Sequence, residues 1–354
     1  MLRPVILSIR NPTNLSSPAD IQHSLRRHSM KLRKLGRSGP EVSALGLGCM
    51  GMSALYGPAD EKESLATLHA ALEGGINLLD TGDFYGMGHN ESLLKQAIQG
   101  RRDKAFVCVK FGAQRSPDGR FVGVDCRPAS VKNFLAYSLQ RLATDYVDLY
   151  QPARVDRSVP IEDTVGAIAD LVKAGYVRHL GLSEASAETV RRATAVHPVA
   201  ALQIEYSIIT RDIEDRVLPA LRDLGVSVTA YGVLSRGLLA GKTSSFAKGD
   251  FRAHLPRFAG ENLQANLKII EGLRGIAADR GISVSQLCIA WALSRGEDIV
   301  PLIGARTRTQ LQDALGAMEI SLTGEELERI EKTVPANAVA GTRYGADQMA
   351  MLNG

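Results

Sequence analysis

Three residues in this chain of 354 have the types and spacing to move a proton. Asp80 closes the run Ile76-Asn77-Leu78-Leu79-Asp80, and Tyr85 follows in Thr81-Gly82-Asp83-Phe84-Tyr85-Gly86. Lys110 closes the next apolar run, Phe106-Val107-Cys108-Val109-Lys110. Charges at the ends of neighbouring apolar strands are tolerated only as a pair. A phenol with its usual pKa near ~10 is a poor acid at neutral pH. A lysine ammonium beside it stabilises the phenolate and lowers that value, and the aspartate holds the lysine in place. Such a phenol can protonate a carbonyl oxygen as hydride arrives, or take the hydroxyl proton in reverse. The plain alternative is a structural salt bridge beside a core tyrosine, which the spacing Asp-x4-Tyr-Gly followed by Lys at the next strand end disfavours.

The elements that must position these groups are visible as periodicity. Short apolar runs predict strands at Ala44–Gly48, Ile76–Asp80, Ala105–Lys110, Tyr146–Tyr150, Val177–Leu182, Val199–Glu205, Val226–Tyr231 and Ile299–Ile303. Runs of this length and Val/Ile/Leu content suit buried parallel strands. Between them, 3.6-residue periodicity predicts helices over Glu61–Glu73, Ser130–Leu142 and Ile161–Ala174, the last framed by Pro160 and Gly175. Eight such units predict an α/β fold, a (β/α)8 TIM barrel, whose chemistry sits at the C-terminal ends of the strands. Leu32–Val42, with Arg-Ser-Gly-Pro inside it, reads as an N-terminal β-hairpin sealing the barrel bottom. The segment Leu234–Leu267 reads as a long functional loop, and residues 320–354 as an extra helix and a polar tail.

Composition bounds the rest. Hydrophobic residues make up 45% and charged residues 23%, with a net charge of +4. The basic excess lies in residues 1–40, which hold eight Arg or Lys and one acid, Asp20. The remainder is slightly acidic, so no nucleic-acid partner is expected. The four cysteines, Cys49, Cys108, Cys126 and Cys288, are scattered, which fits neither a disulfide framework nor a zinc site and suits a reducing, cytoplasmic setting. No apolar run has the ~18 residues a membrane span needs. Residues 1–29 have the composition of an organellar transit peptide, but order begins at Lys31. They read as a disordered arm or an extension upstream of a start at Met30, leaving 30–354 as a single domain.

Asp80–Gly86 with Asn90-Glu91 and then Lys110 resembles the aldo-keto reductase signature. Leu45–Met52 and Val177–Ser183 resemble two further stretches of that family, so the likeness runs from about Lys31 to Thr333. The resemblance implies a barrel, direct hydride transfer from NADPH, no metal or flavin, and Asp80, Tyr85 and Lys110 as three of four catalytic residues. The fourth is a histidine after strand four. Where similar branches read Tyr-Tyr-Gln-His-Arg-Val-Asp, this chain reads Tyr150-Gln151-Pro152-Ala153-Arg154-Val155-Asp156, which puts Ala153 at the histidine position. The Pro-Ala-Arg variant resembles a bacterial branch grouped with pyridoxal reductases. Alanine there predicts an enlarged pocket that takes a bulkier or differently polar substrate, or a gap filled by water or Gln151.

The cofactor positions follow the same ordering. Tyr231, at the end of strand seven, can stack on a nicotinamide ring. The loop Gly232-Val233-Leu234-Ser235-Arg236-Gly237 can offer backbone N–H groups to a pyrophosphate. Gly304 and Ala305 lead into a helix N-terminus, Arg306 can grip a 2′-phosphate, and Gln310 and Asp313 lie on later turns. Arg306 with Arg308 favours NADPH over NADH. Ser183 and Gln203 match family residues that bind the nicotinamide carboxamide, while Glu184 stands where the family has Asn. The expected function is NADPH-dependent reduction of a pyridoxal-like aldehyde or a bulky secondary ketone. The alternative is an NADPH-binding sensor subunit with little turnover, whose mark would be loss of Tyr85 or Lys110; both are present.

Overall fold

The computed structural model describes residues 30–37, 39–53, 55–241, 246 and 250–354. The arm expected over 1–29 lies outside them. The chain opens with an antiparallel hairpin, β1 (Leu32–Lys34) and β2 (Glu41–Ser43). Leu35 and Val42 from this hairpin plug the bottom of the barrel interior, beside Leu78, Phe106, Leu149 and Leu302. Arg33 fastens it in place by donating to the carbonyls of Ile299, Gly296 and Leu293.

Eight parallel strands close the barrel. In chain order they begin with β3 (Gly46–Gly48), β4 (Leu78–Gly82) and β5 (Phe106–Phe111), then leave for a hairpin of β6 (Ala113–Arg115) and β7 (Phe121–Val124). They resume with β8 (Val147–Pro152), β9 (Val177–Ser183), β10 (Val199–Glu205), β11 (Ser227–Tyr231) and β12 (Ile299–Ile303). β12 pairs back with β3 and closes the ring. Helices α1 (Glu61–Glu73), α2 (His89–Ile98), α3 (Pro128–Leu142), α4 (Ile161–Lys173), α5 (Ala187–Val196) and α6 (Val217–Leu224) alternate with the strands. They are followed by α7 (Gly260–Asp279), α8 (Val284–Ser294), α9 (Arg308–Leu315), α10 (Gly324–Thr333) and the short α11 (Ala346–Met349). Among the described residues no helix is long and apolar enough to cross a membrane.

The barrel and its hairpin match the sequence reading, with shifts at the strand ends. β4, β5 and β8 each run one or two residues past their apolar runs, because parallel pairing continues through Gly82–Lys110 and Phe111–Pro152. Two other segments differ in kind. The hairpin β6–β7 has no counterpart among the expected elements; its short strands carry Gln114, Arg115 and Gly123 and lack a clean apolar alternation. Of the segment read as a long loop over 234–267, residues 242–245 and 247–249 lie outside the described residues, and the rest holds short 3-10 turns at Ser235–Gly237, Phe251–His254 and Pro256–Phe258 and the start of α7 at Gly260.

Candidate active site

Asp80 and Lys110 lie two rungs apart on paired strands, both buried, and point into the top of the barrel. Lys110 Nζ donates to Asp80 Oδ1 at 2.5 Å, and Gln203 Nε2 donates to the other oxygen, Oδ2, at 2.7 Å. Both oxygens of the buried carboxylate are thus bonded, as burial of a charge demands. The ammonium also lies 5.2 Å from the centre of the Tyr85 ring, over its face. The expectation that Lys110 lowers the Tyr85 pKa needs correcting for this form of the protein. Burial first, and the Asp80 charge second, push the phenol well above its usual value. Tyr85 therefore holds its proton throughout the neutral range.

A strained turn puts Tyr85 there. Gly86, Met87 and Gly88 all take left-handed backbone angles, with φ of 58°, 54° and 95°. A Cβ on Gly86 would also meet Ser53 and His89 at about 3 Å, so glycine is required on both counts. Asn90 ties the surroundings together. Its carbonyl accepts from Thr81 Oγ1 at 2.6 Å, and its amide donates to Cys49 O and Ser53 Oγ at 2.9 and 2.8 Å. One fully buried side chain thus joins the ends of β3 and β4 to the turn that carries Tyr85. Next to it, Glu91 is buried and paired with Arg141 of α3.

Above the acid–lysine pair lies a cavity of about 650 Å³, lined by most of the residues singled out from the sequence. Asp80, Tyr85, Lys110 and Ala153 share it with Ser183, Gln203, Tyr231, Gly232, Leu234, Arg236 and Gly237. Gly304, Ala305, Arg306, Gln310 and Asp313 line the same space. Arg306 faces it and donates to the carbonyls of Tyr56 and Pro58, at 3.0 and 3.3 Å; among the described residues it forms no ion pair, though Asp250 lies near enough to feel its charge, and Gln310 Oε1 accepts from its backbone N–H. Open space lies over Gly304. A cation with no carboxylate in ion-pair contact, above a helix start, suits a phosphate group.

Some roles differ from those expected. Arg308 points away and is held by Glu63 at 2.9 Å. Arg236 is at the wall, but its guanidinium is taken by buried Glu205 at 2.8 Å. The N–H groups of Ser235, Gly237 and Leu238 bond within the loop, to Gly232, Leu234 and Ser235, which leaves fewer donors for a pyrophosphate than the loop composition implied. Glu184, with φ of 53°, turns away from the cavity to Arg343, which donates to both its oxygens at 3.1 and 3.2 Å. Gln151 does not fill a gap in the cavity; it is fully buried in the barrel, with both amide atoms unpartnered among the described residues.

The residues that sequence reasoning missed come mostly from the tail. Tyr344, Gln348 and Met351 form one wall of the cavity. The end of the chain is pinned by Asn353 N–H to Glu184 O and Ser186 N–H to Gly354 O. Tyr231 donates to Glu184 at 2.7 Å, so Tyr344, 2.9 Å away, must donate to Tyr231. Glu205 is likewise central: burial alone would raise its pKa, but Arg236, Arg343 and Arg257 outweigh this and hold it below the usual range. Glu184 at a position where Asn was expected was the one available signal, since a buried acid there needs a cation from elsewhere.

Residues 44–335 match the model of the aldo/keto reductase family. A probable aldo-keto reductase from Glycine max is 42% identical over 318 residues, covering 88% of this chain and 91% of its own. Among solved structures, a glycerol dehydrogenase from Gluconobacter oxydans superposes with a TM-score of 0.77 at 31% identity, covering 85% of this chain and 94% of its own. The holo form of an aldo-keto reductase from Bacillus halodurans gives a TM-score of 0.72 at 30% identity, covering 87% and 97%.

Asp83, two residues before Tyr85, generates a prediction. It is buried, its Oδ2 has no partner among the described residues, and burial followed by repulsion from Glu91 raises its carboxyl to about 8. An unfolded aspartate titrates near ~4. The folded state thus binds the proton more tightly, and that stability is fully present below pH ~4 and lost as pH rises through about 8. Asp83→Asn is expected to raise Tm at pH 9 by clearly more than at pH 5. Equal shifts at the two pH values would show that Asp83 does not carry this dependence.

Proposed function

The chain belongs to the aldo/keto reductase family and is an oxidoreductase, and from that premise we propose that it reduces an aldehyde or ketone to the alcohol with NADPH, Tyr85 serving as general acid. One observation carries this reading: a single cavity holds the buried Asp80–Lys110 pair, the Tyr85 phenol and the Arg306 cation. The residues fit the cofactor. Arg306 with Gly304 and Ala305 would hold the adenosine phosphate end, and Asp313 the adenine. The ring of Tyr231, fixed through its hydroxyl, would stack on the nicotinamide near Ser183 and Gln203. Bound NADPH supplies the hydride.

The protein's part is the proton. Tyr85 enters the reaction protonated, as reduction requires, and gives its phenolic proton to the carbonyl oxygen. The phenolate left behind faces the Lys110 ammonium across its ring, and Asp80 keeps that ammonium in register. In the reverse direction the same raised phenol pKa makes Tyr85 a stronger base once it is deprotonated, so alcohol oxidation gains from higher pH. With Arg308 committed to Glu63, preference for NADPH over NADH rests on Arg306. Ala153 stands where the histidine of similar branches would donate to the carbonyl oxygen. Its single methyl leaves room for a pyridoxal-like aldehyde, the candidate that the likeness to the pyridoxal-reductase-like branch suggests, or for a bulky secondary ketone.

A carbonyl panel followed by the absorbance of reduced cofactor tests this reading. Turnover should be faster with NADPH than with NADH. Tyr85→Phe should lower kcat by about 10²–10⁴-fold while NADPH binding, read by fluorescence, is retained. Tight NADPH binding without oxidation by any carbonyl would favour a sensor instead. Ala153→His should cut kcat/KM for bulky ketones more than for small aldehydes; unchanged kcat/KM across the panel would remove Ala153 as a determinant of the pocket.

A further inference from the structure

The arginines of the cavity sort by partner. Arg236 is paired with Glu205 at 2.8 Å, Arg252 with Asp250 at 2.6 Å and Arg274 with Glu271 at 2.8 Å. Arg306, at the end with Gly304 and Asp313, is accounted for by the cofactor. Two remain, Arg154 and Arg115, and among the described residues neither forms an ion pair with a carboxylate.

Both belong to the Tyr85 end. Arg154 follows Ala153 at the top of β8. Its Nη1 donates to the Ala153 carbonyl at 2.6 Å, and its guanidinium lies 5.9 Å from the Tyr344 ring centre and bonds the Tyr344 hydroxyl. From there the chain of hydroxyls runs through Tyr231 to Glu184, whose charge is already met by Arg343. Glu184 favours the Arg154 cation through space but makes no ion pair with it, its oxygens being taken by Arg343 and Tyr231. Arg115, on the β6–β7 hairpin, bonds Gly119 O at 3.3 Å. Its guanidinium lies 5.7 Å from the Phe84 ring and 5.9 Å from the Phe121 ring. Phe84 in turn packs edge-on against Tyr85, with centroids 4.8 Å apart. Both cations are partly buried and line the space in front of the Tyr85 phenol.

A guanidinium with no carboxylate in ion-pair contact keeps donors for a ligand, and its planar fork matches carboxylate and phosphate oxygens in two-point geometry. We propose that the carbonyl substrate carries an anionic group, a carboxylate or a phosphate, which Arg154 and Arg115 hold beside Tyr85. The proposal rests on the reductase reading above and narrows its substrate class. It also gives the change at Ala153 a use: with a methyl at that position, the space beside Arg154 is open to the anionic group. Phe84 and Phe121 supply an apolar surface for the body of the molecule.

Two matched pairs of aldehydes test it. 4-Carboxybenzaldehyde and methyl 4-formylbenzoate differ by one charge; glyceraldehyde 3-phosphate and glyceraldehyde repeat the comparison for phosphate. Native enzyme with NADPH should favour the charged member of at least one pair by about tenfold or more in kcat/KM, the scale of one good charge-assisted contact, and which pair shows it tells carboxylate from phosphate. Arg154→Gln and Arg115→Gln should each shrink that charged-to-neutral ratio about tenfold, chiefly through KM, and Arg154→Lys should restore part of it. Turnover of both members without preference, or equal losses on both in the variants, overturns the proposal and leaves the reductase reading standing. Equal losses in kcat for Arg154→Gln would instead assign Arg154 to the carbonyl oxygen itself. If no aldehyde consumes NADPH, the reductase reading fails and the proposal with it.

Discussion

The buried ion pair between Asp80 and Lys110 constrains everything around it. Removing one member of such a pair leaves an uncompensated charge in the barrel, at a cost on the order of 3–5 kcal/mol. The pair forms only if β4 and β5 run in their observed register, with Gly82 opposite Lys110 and Asp80 opposite Cys108. It also needs β10 to bring Gln203 to the second carboxylate oxygen. Closure of the barrel and charge compensation in its mouth are therefore one requirement. The same register places Tyr85, because the strained turn that carries it leaves directly from the end of β4 and is held there by Asn90.

Charge is balanced the same way further out. Glu184 and Glu205 are fully buried acids on neighbouring strand ends, and each is met by arginines from distant parts of the chain. Glu205 takes Arg236 and Arg257, while Glu184 takes Arg343 from the tail. The tail is thus part of the cavity wall, because a buried carboxylate requires its arginine. Among the described residues of the cavity, this balance separates arginines locked in ion pairs from those that form none.

How much of this was legible in the sequence depended on range. Strands and helices announce themselves through short-range periodicity, so the barrel, the bottom hairpin and helix Glu61–Glu73 could be read directly. Asp80, Tyr85 and Lys110 were legible because strand ends order them and the intervals are short. The β6–β7 hairpin was not, because its few residues carry no clean alternation. Nor was the role of the tail: Arg343 meets Glu184 across 159 positions, and no local pattern encodes such a contact. The same limit applied to Arg236 and Arg308, whose residue types suit an anion but whose charges are met by Glu205 and Glu63. For Tyr85 the neighbours were right and the balance was not, since residue types show a nearby ammonium but not how far burial outweighs it.

The central claim is that Lys110 and Tyr85 act as one unit in moving the proton. A double-mutant cycle on Tyr85→Phe and Lys110→Met measures this directly, using single-turnover oxidation of bound NADPH by an aldehyde and circular dichroism to verify folding. If the two residues form a unit, the double variant will be about as slow as the slower single variant. Losses that multiply would mean that each acts independently, which would contradict the account.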